Sequence, residues 1–279
     1  MKKIKIYTVT YNDNESLNLT LKTFFESDNL DQIEFEYFII NNHTNIQISD
    51  EFSSKVKLLR NEVRPDFSYG HLARNWNQAL INGFQNIRKP DCDIVITTQD
   101  DILWNKDWVN KLLKIHESYS FYTCDFGDNF CSYTPSSVKK IGLWDERFCG
   151  ITFQEADYFL RAVIFNGKNS SINDKHHKRV SHKQELVVQR QNPTKFRPHN
   201  NRNYSHKYTR TLFLKKWSGR PPHTWESVVD NRLRPNKNYK EVVYYPYFEK
   251  DIDKDLYEFF FEVEQGQSVP RQNRYRQET

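Results

Sequence analysis

The sequence predicts an α/β fold in which a mostly parallel sheet is covered by helices on both faces. Two observations carry this. Strand-like apolar runs alternate with helix-period segments through about residue 115. Polar clusters then fall where those strands end, at Thr10–Asn12, Asn41–Thr44 and Gln99–Asp101, and sheets of this kind bind ligands at the carboxyl ends of their strands. With 279 residues, 37% of them hydrophobic, the chain has ample material for a core.

The elements follow in order. Residues 4–11, "IKIYTVTY", alternate as a strand does, and "NDNESLNLTLKTFFESDN" then sets Leu17, Leu21, Phe24 and Phe25 on one helical face. Asn12 and Glu15 have capping-box spacing, which predicts that this helix begins near Asn12. Residues 33–40, "IEFEYFII", form a second strand ending in "NNHTN", and 56–60, "VKLLR", a short third. In "GHLARNWNQALINGFQNI", Leu72, Trp76, Ala79, Leu80, Phe84 and Ile87 recur at helical steps. A strand at 93–98 leads to Asp100–Asp101, and a helix starting near Asn105–Asp107 carries Trp108, Leu112 and Ile115. "TPSSVKKIG" reads as a short helix capped by Thr134, with Pro135 at its first position and Gly142 past its end. "QEADYFLRAVIFNG" is a helix closed by Gly167. Beyond about residue 190 the pattern weakens, and "EQGQSVPRQNRYRQET" has the composition of a disordered tail. The expected division is a domain over 1–220, with halves at about 1–115 and 116–220, followed by a helical or irregular extension over 221–279.

Composition excludes some classes. No run approaches the roughly 18–20 apolar residues of a membrane span. The start, "MKKIKIYTVTYND", lacks the apolar stretch and cleavage site of a signal peptide. Four cysteines without CxxC spacing read as reduced thiols, so a cytoplasmic protein with at most peripheral membrane contact is expected. Charge is unevenly spread: Lys175 to Arg220 holds 13 Lys/Arg against one acid, a local net of +12 where the whole chain carries +5. Such a segment suits phosphates, anionic lipid heads, an acidic polymer or nucleic acid, or is simply a solvated surface.

Asp100 and Asp101 are two adjacent carboxylates where an apolar run ends, a costly arrangement unless something binds them. They are either helix-capping groups or ligands of a hard cation such as Mn²⁺ or Mg²⁺, which takes one or two carboxylates and lets substrate phosphates fill the rest. In "FQEADYFLR", Asp157 and Arg161 are spaced i,i+4 and pair. That leaves Glu155 the freer carboxylate and the better general base, unless both acids merely complement the helix dipole. His176, His177 and His182 fit no dedicated zinc spacing. Arg74, in the first turns of its helix, is either a phosphate ligand or a surface charge.

In this order, the segments resemble the family-2-like glycosyltransferases of GT-A fold over roughly residues 4–220. "VTYNDNESLNLTLKTF" is similar to the family's opening strand and helix, which implies that Thr10 and Tyr11 receive the nucleotide base. "FIINNHTN" resembles the second-strand motif, with Asn41 and Asn42 where an aspartate normally contacts base or ribose. "GHLARNWNQAL" matches the helix beside the donor, which brings in Arg74. "TTQDDILWNKDW" resembles the DxD segment. Gln99 stands at its first acidic position and Asp101 at its last, and Asp100 lies between them among the donor contacts. The resemblance implies that Asp101 binds the metal bridging the donor diphosphate.

"IGLWDERFCGITFQEADYFLRAVIFNGK" is similar to the region in which the first helix-start acid is the catalytic base. That position falls on Glu155, usually aspartate in relatives, with Asp157 next in the motif. A downstream histidine that contacts metal or diphosphate falls on His182, or secondarily His177. "FLKKWSGRPP" resembles the late Lys-Trp-Gly segment, with Ser218 in the glycine place.

The function implied is transfer of a sugar from a UDP- or GDP-type nucleotide sugar to a hydroxyl of a glycan, glycolipid or glycoprotein. One metal-side acid and one separate base imply single displacement with inversion. Two other classes compete. One is a nucleic-acid-binding protein using the basic segment, with Phe196, Tyr204 and Tyr208 interleaved for stacking; it leaves the strand-end carboxylates unexplained, and no nucleic-acid partner is expected. The other is a nucleotidyltransferase, against which stands the lack of a glycine-rich phosphate loop in a chain with eight glycines.

Overall fold

The computed structural model describes residues 1–11, 13–42, 46–61, 72–124, 127–148, 153–172, 186–190 and 202–217. The boundary expected near residue 220 and the C-terminal tail lie outside them, as do His177 and His182.

The strands are β1 (Lys2–Thr10), β2 (Ile33–Asn41), β3 (Lys57–Arg60), β4 (Ile94–Gln99), β5 (Ile102–Trp104), β6 (Phe121–Thr123), β7 (Phe130–Tyr133), β8 (Ser170–Ile172) and β9 (Val187–Gln189). Seven of them form one sheet in the order β3-β2-β1-β4-β7-β6-β8. β1 pairs parallel with both β2 and β4, β2 with β3, and β6 with β8. β7 runs antiparallel to β4 and β6, so the sheet is mixed but mostly parallel, as predicted. From β1 the chain first moves outward to β2 and β3, then crosses back to β4. The switch point lies between β1 and β4, and sheets of this kind bind ligands outside the strands' carboxyl ends at that point.

The helices are α1 (Asn14–Phe25), α2 (Asp50–Ser53), α3 (Leu72–Phe84), α4 (Trp108–Ser118), α5 (Pro135–Ile141), α6 (Gln154–Arg161) and α7 (Arg202–Trp217). Alternation along the strands feeds two cores. Ile4, Ile6, Ile39, Ile94 and Ile96 pack with Leu17, Leu21, Phe24, Trp108 and Leu112 on the α1–α4 face. Tyr7, Val9, Ile40 and Val95 pack with Trp76, Leu80, Phe159 and Trp217 on the α3–α6–α7 face. No described helix is long and apolar enough to cross a membrane.

Several elements differ from expectation. α1 is capped by Asp13, whose carboxylate accepts from the Ser16 backbone N–H at 3.0 Å and the Ser16 hydroxyl at 2.9 Å. A carboxylate that takes two donors replaces the Asn12–Glu15 box read from spacing. α6 ends at Arg161; the backbone then widens into a π-turn over Ala162–Asn166, and Gly167 at φ 54° reverses it toward β8. The strands β5 to β9, three or four residues each, were not predicted, because runs so short show no period. α7 was also missed, since its buried residues are outnumbered by cations and polar groups in "RNYSHKYTRTLFLKKW". Thr134, Pro135 and Gly142 frame α5 as predicted.

Candidate functional site

Register brings the first group of residues together. Thr10 is level with Asn41 across β1/β2, and Val9 with Gln99 across β1/β4, so the three polar strand ends share one edge. Beneath them a buried polar chain, Tyr37–Thr8–Thr98, links the strands through hydroxyl contacts of 2.6 and 2.8 Å. The Thr20 hydroxyl of α1 lies 2.7 Å from both the Asp100 and Ile102 carbonyls, fixing the turn that follows β4.

On that turn, burial pushes the Asp100 carboxyl up to about 7, the Thr10 hydrogen bond opposes this, and the Asp101 and Asp13 charges add to it. Asp100 Oδ2 is buried with no hydrogen-bond partner among the described residues. Asp101 is held from the β5–β9 side: its Oδ2 accepts from Gln189 Nε2 at 3.0 Å, and its carbonyl from the Arg190 backbone N–H at 2.6 Å. The Arg190 guanidinium reaches Glu15 at 2.9 Å. Two adjacent hard-oxygen carboxylates, one with a buried oxygen lacking a donor, fit a divalent cation that draws its other ligands from a substrate. No group of three or more His, Cys, Asp or Glu side chains placed to hold a metal occurs among the described residues.

At the ends of β2 and β3 lies an uncharged amide cluster. Asn61 Nδ2 is 3.2 Å from Asn42 Oδ1, 3.3 Å from Asn75 Oδ1 and 2.9 Å from Gln78 Oε1. Asn41 and Asn42 are both 3% exposed. Tyr11, just past β1, is half-buried.

Helix α3 packs against β1 and β4. Its Trp76 is fully buried and needs a partner for the indole N–H, which it finds in Asp128 Oδ2 at 2.7 Å. Asp128 also accepts from Gln99 Nε2 at 3.1 Å and Gln154 Nε2 at 3.4 Å. Burial raises the Asp128 carboxyl, against the pull of these donors. Glu155 follows Gln154 in the first turn of α6, and a Cβ built at Gly127 would stand 3.8 Å from Glu155 Cγ. Through Asp128, the end of β4 and the start of α6 therefore meet.

Two predicted residues point elsewhere. Arg74 is 56% exposed in its side chain and donates from Nε to Glu146 at 3.3 Å, on the rim formed by the "LWDE" loop. Asn77, one turn on, pins that loop with both amide ends, accepting from Trp144 N at 2.7 Å and donating to Trp144 O at 2.9 Å. Asp157 faces the core. It pairs with Arg161 at 3.1 Å, as the spacing predicted, and also with Lys216 at 2.6 Å, while the Trp217 indole donates to it at 2.7 Å. Lys216 also meets Asp145 at 2.9 Å. Although burial alone would raise it, Lys216 and Arg147 hold the Asp145 carboxyl well below the usual range.

Sequence reading missed Asp128, Asn61 and the Asp145–Lys216 contact. The only signal for Asp128 was a Gly-Asp turn in "TCDFGDNFCSY", which reads as loop chemistry. The contacts of Asn61 and Lys216 span long sequence separations that spacing does not encode.

No protein-family model matches the chain, and no curated protein matches it by sequence. Solved GT-A glycosyltransferases match it in structure. TarS 1–349 from S. aureus is 12% identical, with 67% of this chain and 60% of that one covered at a TM-score of 0.48. The mannosyltransferase PcManGT from Pyrobaculum calidifontis, solved with GDP-Man and Mn²⁺, is 13% identical, with 61% and 54% covered at 0.43. Glucosyl-3-phosphoglycerate synthase from Mycobacterium tuberculosis, solved with Mn²⁺, UDP and glucosyl-3-phosphoglycerate, is 9% identical, with 76% and 79% covered at 0.46. The match thus spans less than two thirds of the first two proteins.

Proposed function

We propose that the chain is an inverting glycosyltransferase that moves a sugar from a UDP- or GDP-type nucleotide sugar to a hydroxyl of a glycan, glycolipid or glycoprotein. The observation that carries this reading is the hydrogen-bonded chain Gln99–Asp128–Gln154. It joins the strand end bearing Asp100 and Asp101 to the helix turn bearing Glu155, so two acidic centres of different character sit on directly connected elements. The sequence resemblance to family-2-like glycosyltransferases assigns the same two centres the metal-side and base roles.

Asp101, with Asp100 beside it, would hold a divalent cation, Mn²⁺ or Mg²⁺. When bound, such an ion neutralises charge on the diphosphate leaving group. Thr10, Tyr11, Asn41 and Asn42 border the nucleoside end, and Gln99 offers a neutral polar contact at the edge of β4. Glu155 takes the proton from the acceptor hydroxyl as that oxygen attacks the anomeric carbon, which gives inversion in a single displacement. Asp157 acts behind it, keeping the first turn of α6 in place through Arg161, Lys216 and Trp217. His182 remains a candidate contact to metal or diphosphate from sequence alone.

The nucleic-acid alternative loses part of its charge. Of the basic segment, Lys216 is buried between Asp145 and Asp157, and Arg190 is turned to Glu15. The deciding experiment is a hydrolysis and binding screen across UDP- and GDP-sugars, with and without Mn²⁺. The expected result is slow hydrolysis of one or two donors, lost in Asp101→Ala. A wild-type protein that binds none of them while holding RNA or DNA in a salt-sensitive manner overturns the proposal.

A further inference from the structure

Asp128 is 4% exposed, and its carboxylate takes side-chain donors from three separate elements: Trp76 of α3, Gln99 of β4 and Gln154 of α6. All three contacts are donated to its oxygens, the pattern of a carboxylate that only accepts. Each glutamine bonded to it must present its NH₂ end, which leaves each carbonyl oxygen for something else. Gln154 is 2% exposed, and its Oε1 is buried with no hydrogen-bond partner among the described residues. An unmade buried acceptor is costly, and a ligand donor would remove the cost. Gln99 stands at the strand end beside Asp100, and Gln154 stands beside Glu155. Phosphate oxygens are acceptors and cannot serve these carbonyls, whereas hydroxyl groups can.

We infer that Asp128 is a positioning residue that locks Gln99 and Gln154 as paired acceptors for hydroxyls of the bound sugar nucleotide, whether on its ribose or on the transferred sugar. This rests on the glycosyltransferase reading and extends it to a residue pair that reads the ligand. It also accounts for the glutamine in the DxD-like segment. The carboxylate absent from position 99 stands at 128, one hydrogen bond away.

The test is calorimetric titration with UDP, GDP, UDP-glucose, UDP-N-acetylglucosamine and GDP-mannose. In Asp128→Asn, the new amide keeps its oxygen on Trp76 and turns its nitrogen to Gln99, which reverses the Gln99 amide. Affinity for the preferred sugar nucleotide should fall about tenfold or more, roughly the effect of one misplaced hydrogen bond. The double variant Gln99→Glu/Asp128→Asn exchanges acid and amide and should return to within about threefold of wild type, a non-additivity that simple loss of packing would not produce. Gln154→Met, which removes the buried oxygen and keeps the length, should also weaken binding about tenfold. It keeps the test decisive if Asp128→Asn does not fold.

Equal weakening of the nucleotide diphosphate and its sugar conjugate supports the inference with ribose as the source of the hydroxyls. Weakening of the conjugate alone supports it with the transferred sugar as the source. If wild type binds and Asp128→Asn and Gln154→Met bind within threefold of it, the inference is overturned and the functional reading stands. If wild type binds none of the five, the functional reading fails and this inference with it.

Discussion

Lys216 Nζ lies 2.6 Å from Asp157 Oδ1, with the lysine side chain 0% and the aspartate side chain 1% exposed. The same ammonium reaches Asp145 at 2.9 Å, so one cation near the end of α7 serves two buried carboxylates from distant segments. Burial presses the Lys216 ammonium toward lower pKa, and the two carboxylates oppose it. This contact fastens α7 against the helix that carries Glu155.

Lys216→Met keeps the stem but leaves two buried carboxylates short of a counter-charge. Removing one partner of a buried ion pair costs about 3–5 kcal/mol. The expected outcome is a loss of stability of that order in urea denaturation.

Glu155→Ala should abolish sugar transfer while donor affinity and thermal midpoint stay near wild type, because Glu155 is assigned to the proton whereas Asp157 holds the buried ion pairs with Arg161 and Lys216. Asp157→Asn should instead lower the thermal midpoint, with transfer falling as the α6 turn loosens. Parallel transfer assays and thermal melts decide the matter. Normal transfer by Glu155→Ala, with loss only on changing Asp157, moves the base to Asp157.

His116 Nδ1 donates to the Tyr119 carbonyl at 2.9 Å, and its Nε2 lies 3.0 Å from Ser132 Oγ. Burial lowers the imidazole to about 4, against the Tyr119 hydrogen bond. Its folded pKa thus lies below the unfolded value near 6.5, so its contribution is present above about pH 6.5 and is lost as pH falls toward 4. Between pH 7 and pH 4.5 the loss from this group should be about 2 kcal/mol. His116→Gln should flatten that part of the stability–pH curve, measured by denaturant unfolding at pH 7 and pH 4.5.

Gly83 sits in the last turn of α3, where the helix packs on β4, and a Cβ there would overlap Val95 Cγ2. Gly83→Ala should therefore destabilise by about 1–3 kcal/mol despite its better helix propensity. Gly83→Ala/Val95→Ala should recover part of the loss by opening the contact, as read from paired melting curves.

The order of β1, α1, β2, β3, α3 and β4, and the polar strand ends at Thr10, Asn41 and Gln99, were legible in the sequence. Hydrophobic periodicity and strand-end composition are local properties, written into neighbouring residues. The Asp157–Arg161 pair was legible for the same reason, since four residues along a helix put two side chains on one face. The tertiary structure alone decided that Asp128 bridges Gln99, Trp76 and Gln154, that Lys216 closes on Asp145 and Asp157, and that Arg74 turns to Glu146. The first two are buried polar groups or charges finding partners far along the chain, and the third is a solvent-exposed pair between distant segments. Desolvation makes the buried pairings necessary, but only the packed fold determines which partner comes within reach.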